Sequence, residues 1–285
     1  MRPNPLPLFA RLRSNVLLAP PFILSTAFFG SLALLASLFD SHGRLQHRIA
    51  RRWAKACVFF SGTKLAVLGL DNIQDYLRTH PRKHPIDSAE GKGLADESGG
   101  RSSAVFAANH TSYMDTPVIF ASMPFQFRIL AKKELWTLPF IGWYLDRSGQ
   151  IPIDTANPRT TLSSFAAGVR TLRQGLSVFV FPEGARTPTG EVRSFLNGAA
   201  FLAIRAQVPL VPIALIGVHD LLPPHTKHFF PSRSPLKLVF GPPIPTAHHS
   251  IRESEALTLE LQNSIAALLD RNSYSGSAVA VPRNH

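Results

Sequence analysis

A histidine, His110, stands five positions before an aspartate, Asp115, in the stretch Asn109-His110-Thr111-Ser112-Tyr113-Met114-Asp115. Histidine is the side chain whose ordinary pKa lies nearest neutrality, and a carboxylate on one ring nitrogen leaves the other to take a proton. Such a pair can serve as a general base; taken alone, it more often stands as a satisfied polar pair at the surface. It needs no serine or cysteine nucleophile, because a substrate hydroxyl can itself be activated. A second group of chemically able residues, Pro182-Glu183-Gly184-Ala185-Arg186, closes the apolar run Leu176-Ser177-Val178-Phe179-Val180-Phe181. A guanidinium on such a turn can grip a phosphate through two parallel N–H bonds; the Glu183–Arg186 pair can equally brace the turn.

Both groups need a scaffold that brings them to one edge. Ala104–Ala108 reads as a buried strand that delivers His110 to its C-terminal end, where open α/β sheets place ligands. With Thr111 or Ser112 as N-cap of a following helix, Asp115 folds back towards His110. Leu176–Phe181 is a second buried strand, stopped by Pro182 and Gly184. Leu65–Leu70, Leu210–Ile216 and Leu236–Phe240 read as further strands. Leu162–Gln174, Gly198–Arg205 and Ser254–Leu269 read as helices. Strands alternating with helices predict an α/β fold, a mixed, mostly parallel sheet flanked by helices, with an N-terminal membrane-anchoring helical segment. The expected organisation is an anchoring region over 1–62 and an α/β domain over 63–270. A flexible insertion over 80–103 and a disordered tail over 271–285 complete it.

Four blocks, in order between about Leu65 and Pro245, carry a resemblance. The first is Asn109–Asp115. The second comprises Ala131-Lys132-Lys133-Glu134-Leu135, Pro139-Phe140-Ile141-Gly142 and Gly149-Gln150-Ile151-Pro152-Ile153-Asp154. The third is Phe181-Pro182-Glu183-Gly184-Ala185-Arg186, and the last Val208-Pro209-Leu210-Val211-Pro212-Ile213. Together they resemble the 1-acylglycerol-3-phosphate O-acyltransferases (lysophosphatidic acid acyltransferases) among the glycerolipid acyltransferases. The resemblance implies that His110 deprotonates the acceptor hydroxyl, with Asp115 orienting it. The alkoxide then attacks an acyl thioester directly, with no covalent acyl-enzyme, no metal and no cofactor. Acyl-CoA or an acyl-carrier protein serves as cosubstrate. It further implies that Arg186 holds the acceptor phosphate, while Glu183 positions the loop or an acceptor hydroxyl. The substrate-binding candidates are Glu183, Gly184, Arg186, Lys132 and Lys133; the two lysines can equally form a solvated or membrane-facing basic pair. Three departures bear on the acceptor headgroup: Ala185 replaces the usual Thr, Asp154-Thr155 replaces Asp-Arg, and Leu196 follows Phe195 where Lys is common. Arg147 and Arg159 lie close enough in sequence to substitute for the missing arginine.

Composition suits a protein at a membrane surface. The 285 residues carry 30 Lys+Arg against 18 Asp+Glu, a net charge of +12 that favours polyanions. No nucleic-acid module is present, which leaves anionic lipid headgroups and an acidic carrier protein as partners. The one cysteine, Cys57, excludes an intrachain disulfide, and the spacing of His219, His225, His228, His248 and His249 fits no metal set. Those histidines read as surface or loop residues. Val16–Phe39 contains no charged residue; as a helix it rises roughly 36 Å, enough for the ~30 Å hydrocarbon core. Pro20-Pro21 is expected to break or tilt it, leaving Phe22–Phe39 to span or to dip in as a hairpin with His47–Phe60. Arg44, Arg48, Arg51, Arg52 and Lys55 place the catalytic domain on the cytoplasmic face of the membrane. Phe120, Met123, Phe125, Phe127, Trp136, Phe140, Trp143 and Tyr144 form an aromatic-rich band, mostly core. The expected activity is acyl transfer to 1-acylglycerol-3-phosphate, making phosphatidic acid. The alternatives are another lysolipid acceptor or a non-catalytic lipid-binding membrane protein. A hydrolase with a Gly-x-Ser-x-Gly elbow is excluded, since that motif is absent.

Overall fold

Apolar runs too short for buried helices become the strands of a single sheet. The computed structural model describes residues 8–40, 43–79, 103–154, 156–226, 228–230 and 234–273. The strands are β1 (Leu65–Leu68), β2 (Val105–Ala108), β3 (Phe127–Lys132), β4 (Ile151–Ile153), β5 (Ser177–Val180), β6 (Leu210–Ile216) and β7 (Leu236–Phe240). Their order across the sheet is β1-β7-β6-β2-β5-β3-β4, and every neighbouring pair is parallel except β6 with β7. The sheet is therefore mixed and mostly parallel, as expected. The helices in chain order are α1 (Leu8–Leu12), α2 (Ala19–Ala36), α3 (Arg44–Phe60), α4 (Leu70–Thr79) and α5 (Asp115–Ser122). They continue with α6 (Ile141–Arg147), α7 (Pro158–Arg173), α8 (Gly198–Ala206), α9 (Val218–Leu221) and α10 (Ser254–Asn272).

Side chains of a strand point alternately to its two faces, and here both faces are covered. Phe106 and Ala108 join Phe127, Phe179, Ile213 and the inner faces of α3 and α5 in one core. Val105 and Ala107 join Val178, Val180, Ala214 and the inner faces of α7, α8 and α10 in the other. The chain leaves β2 for α5 on the first face and leaves the adjacent β5 for α8 on the second. Two neighbouring parallel strands whose following helices depart to opposite faces leave a crevice at their C-terminal ends.

The N-terminal helices form a hairpin on the first face. Pro20-Pro21 does not break the helix. Both prolines lie in the first turn of α2, where a missing N–H costs little, and the preceding turn, Arg13–Leu18, takes wider π-helical pairing. Arg13–Ala36 is thus one run, long and apolar enough to cross a membrane by length and composition. Its inner side packs on α3, where the Trp53 indole N–H donates to Thr26 Oγ1 at 3.0 Å. In turn α3 is a wall of the sheet's own core, through Ala50, Ala54, Cys57 and Val58. His47 sits against the rings of Phe120 and Phe127 and donates from Nε2 to the Phe125 carbonyl at 3.2 Å. Burial pushes its pKa down to about 3, so it binds there as a neutral ring.

Helix α7 begins four residues before the expected Leu162 because Asn157 caps it, accepting from the Arg159 N–H, with Pro158 in the first turn. Residues 80–102 of the expected insertion and 274–285 of the expected tail lie outside the described residues; α10 extends to Asn272.

Candidate active site

Backbone pairing between β2 and β6 stops at Ala108, and the next side chain continues it. Asn109 donates from Nδ2 to the Leu215 carbonyl (3.0 Å) and accepts at Oδ1 from the Leu215 N–H (2.8 Å). His110 therefore leaves the sheet edge from an anchored backbone. Asp115 is the first residue of α5, and its Oδ2 accepts three bonds: from His110 Nδ1 (2.8 Å), Thr111 N–H (2.7 Å) and Ser112 N–H (2.8 Å). The expected capping is thus reversed. The helix starts later than Thr111 or Ser112, and it is their N–H groups that fold onto the Asp115 carboxylate. An oxygen that gathers N–H donors places the histidine proton on Nδ1, so Nε2 carries the lone pair. The His110 ring stacks on Phe181, with centroids 3.8 Å apart and planes at 16°. Asp115 is fully buried, whereas the His110 side chain retains 17% exposure.

The β5 loop clamps that histidine from the other side. Glu183 Oε1 accepts the His110 backbone N–H at 2.7 Å, and the Thr187 N–H donates to the His110 carbonyl at 2.9 Å. Glu183 Oε2 accepts from the Arg193 N–H at 3.2 Å. With both oxygens committed to backbone, Glu183 forms no brace with Arg186. The guanidinium of Arg186 lies 3.8 Å over the ring of Tyr113, in cation–π contact, and makes no ion pair among the described residues. Gly184 supplies the left-handed turn between them (φ 71°), a conformation costly for residues with a Cβ. His110 and Arg186 thus follow the C-terminal ends of the adjacent parallel strands β2 and β5.

A family model described as Acyltransferase matches residues 47–216, from α3 to the end of β6. The chain belongs to this acyltransferase family. Among its relatives is a chloroplastic 1-acyl-sn-glycerol-3-phosphate acyltransferase of Arabidopsis thaliana, 26% identical over 234 residues, covering 82% of this chain and 57% of the relative. The corresponding acyltransferase of Chlamydomonas reinhardtii is 29% identical over 228 residues, covering 78% of this chain and 60% of the relative. The chain spans at most about three-fifths of the length of these curated relatives. The crystal structure of a 1-acyl-sn-glycerophosphate acyltransferase from Thermotoga maritima shares the fold, with a TM-score of 0.68 and 21% identity over 90% of this chain and 95% of that one.

In this acyltransferase family member the remaining expected site residues stand farther out. Lys132 ends β3 and Lys133 opens a 3₁₀ turn; both are exposed, and β3 is separated from β2 by β5. At the usual strand spacing that is roughly 10 Å from the His110 strand. Arg147 is exposed beside Asp146 and lines a cleft of about 390 Å³ with Leu34, Trp136 and Trp143. Asp154 accepts from the Ala156 N–H, and Thr155 lies outside the described residues. Leu196, where a lysine is common, is 56% exposed and stands against Gly184. His219, read from the sequence as a surface or loop residue, follows β6 and reaches the loop beyond Arg186. Its signal lay in strand order, not in spacing.

Burial raises the Glu183 pKa from 4.5 to about 7, against the two backbone N–H donors that hold it down. Folding therefore takes up a proton at this group between those values. Its contribution to stability is fully present below about 4.5 and is lost as pH rises through about 7, a total of about 3 kcal/mol. Denaturant midpoints at pH 5 and pH 8 are expected to show this decline, and Glu183→Gln is expected to flatten it. An equal decline in the variant would assign the effect to another group.

Proposed function

We propose that this chain transfers a fatty acyl group from an acyl thioester to the free hydroxyl of 1-acylglycerol-3-phosphate, forming phosphatidic acid. The observation that carries the reading is the His110–Asp115 pair at the end of β2, beside the β5 loop that bears Arg186. His110 Nε2 takes the acceptor hydroxyl proton as the oxygen attacks the thioester carbonyl. Collapse of the tetrahedral intermediate breaks the C–S bond, and the imidazolium returns the proton to the departing thiol. Asp115 stabilises the imidazolium in between. Arg186 supplies charge-assisted bonds to the phosphate. Glu183 holds the loop through the backbone of His110 and Arg193, and Gly184 gives the loop its turn. Lys132 and Lys133 lie where they can contact lipid headgroups at the rim. The relatives' names, which specify this acceptor, support the assignment.

Acyl transfer to lysophosphatidic acid, run beside other lysolipids and no acceptor, tests the reaction. Preference for lysophosphatidic acid is expected. Arg186→Ala is expected to raise the KM for this acceptor roughly 10- to 100-fold, the worth of losing hydrogen bonds to a charged group. An unchanged KM would move the phosphate elsewhere. Leu196 gives the second reading its support: an apolar side chain beside Gly184, in place of the usual lysine, suits a different lysolipid acceptor. Transfer to another lysolipid in preference would establish it.

The N-terminal hairpin supports membrane seating on the cytoplasmic face. Along one side of α2 and the turn that follows it, Ile23, Leu24, Phe28, Leu35 and Leu38 are each at least 60% exposed. Burying five such side chains in lipid is worth on the order of 10 kcal/mol. Next in sequence, α3 presents Arg48, Arg52 and Lys55 to solvent and contains no acidic residue. Because the other side of α2 is occupied by α3, the hairpin fits a helix dipping into one leaflet. Flotation with anionic vesicles is expected for the protein and abolished by Leu24→Glu with Phe28→Glu; persistent flotation would place the contact elsewhere.

A further inference from the structure

Strand β6 runs beside β2 and parallel to it, so the residues after Ile216 emerge next to His110. Gly217 turns the chain there in a left-handed conformation (φ 78°), and His219 meets the loop that carries Arg186. Its Nε2–H donates to the Pro188 carbonyl at 3.1 Å, and Nδ1 lies 3.5 Å from Asp220 Oδ1. Both partners only accept, so Nε2 carries a proton towards Pro188 and the Asp220 carboxylate favours a second one on Nδ1. The Asp220 carboxylate foremost, with the field of Asp115 behind it, holds the ring's pKa above the usual 6.5. The fit is tight: a Cβ on Gly190 would lie 3.1 Å from the imidazole Cγ. The next residue back, Thr187, is bonded to the His110 carbonyl. The chain leaving Arg186 is thus stapled at two successive residues, once to the catalytic strand and once to His219.

We infer that His219 is a positioning residue for the acceptor phosphate, acting through the Pro188 carbonyl to fix the direction of Arg186. The inference rests on the reading of Arg186 as the phosphate ligand. Without the staple the loop after Thr187 has more conformations available, and the phosphate contact loses the ordering that made it strong. The chemistry at His110 Nε2 is untouched, so the effect falls on acceptor binding rather than turnover.

A double-mutant cycle on the full chain, with lysophosphatidic acid as acceptor, tests this. His219→Ala is expected to raise the acceptor KM about tenfold, the scale of one hydrogen bond from a charged group, with kcat within about twofold. In an Arg186→Ala background the same change is expected to add less than about twofold. His219→Gln, whose amide N–H can reach Pro188, is expected to recover most of the KM. His219→Phe, which keeps an aromatic ring in place but has no N–H for the Pro188 carbonyl, is expected to raise KM as His219→Ala does and covers the case in which that variant fails to fold. Equal KM increments in both backgrounds would overturn the inference, as would a kcat loss at unchanged KM or a glutamine variant no better than alanine. An Arg186→Ala protein with unchanged KM would instead overturn the phosphate assignment beneath it.

Discussion

Replacing His110 with alanine is expected to lower the rate of acyl transfer roughly 10²- to 10⁴-fold, the range that a positioned general base supplies. The loss should appear in kcat, since the imidazole takes the proton in the transition state and the lipids are held elsewhere. The protein should remain folded. Its backbone N–H and carbonyl at position 110 stay bonded to Glu183 and Thr187, and Asn109 still ties the strand end to β6. What disappears is a partly exposed ring stacked on Phe181. Flotation with vesicles should be unchanged, because the hairpin contacts a different face. Initial rates with labelled acyl thioester, compared at matched protein fold, give the measurement. A variant that keeps transfer within about tenfold of the parent would remove His110 as the base and leave the remaining rate to positioning alone.

The His110–Asp115 contact was legible in the sequence because its requirements are local. A buried apolar run ending at Ala108, then His110 and Asp115 five residues apart, already specifies a strand end, a turn and a carboxylate within reach. The orientation of the turn was not legible, since Thr111 and Ser112 can cap a helix through their side chains or offer their N–H groups to Asp115. The second arrangement satisfies three donors with one oxygen. The mostly parallel sheet followed from the alternation of strands and helices, whereas β3 and β4 left no clean apolar pattern because Arg128 and Pro152 interrupt them. In the fold Arg128 is buried against the turn of the N-terminal hairpin, and Pro152 sits on the edge strand, where a missing N–H is readily tolerated.

Strand order decides what no spacing could. Glu183 and Arg186 look like a pair in sequence, yet β5 beside β2 gives one Glu183 oxygen the His110 N–H, the loop's own Arg193 N–H takes the other, and Arg186 is left over the Tyr113 ring. His219 reads as one of several loop histidines until β6 is known to lie on the other flank of β2. Pro20-Pro21 reads as a break until the preceding turn is seen to widen. Each of these depends on which strands or turns are neighbours, a tertiary property that periodicity does not carry.

Asp115 separates orientation from charge. Asp115→Ala removes the acceptor of three N–H groups, two of them buried backbone donors, and each unsatisfied donor costs about 1–3 kcal/mol. A stability loss of about 3–5 kcal/mol is expected, together with a rate loss of roughly 10³-fold as the imidazole loses both its tautomer and its direction. Asp115→Asn should behave differently. The Thr111 and Ser112 N–H groups can donate only to an oxygen at the Oδ2 position, so they turn the amide oxygen towards His110 and keep the proton on Nδ1. Orientation survives, and only the negative charge that stabilises the imidazolium is lost, which a rate reduction of about 10²-fold would report. The amide NH₂ then takes the place of Oδ1, which is buried without a hydrogen-bond partner among the described residues, at a cost of about 1–3 kcal/mol in stability. Thermal melts and kcat for the two variants check both parts. If Asp115→Asn falls as far as Asp115→Ala in rate while melting near the parent, the amide has inverted and the backbone donors do not control the tautomer. If it retains full activity, the carboxylate charge has no part in the chemistry and Asp115 serves only to shape the turn.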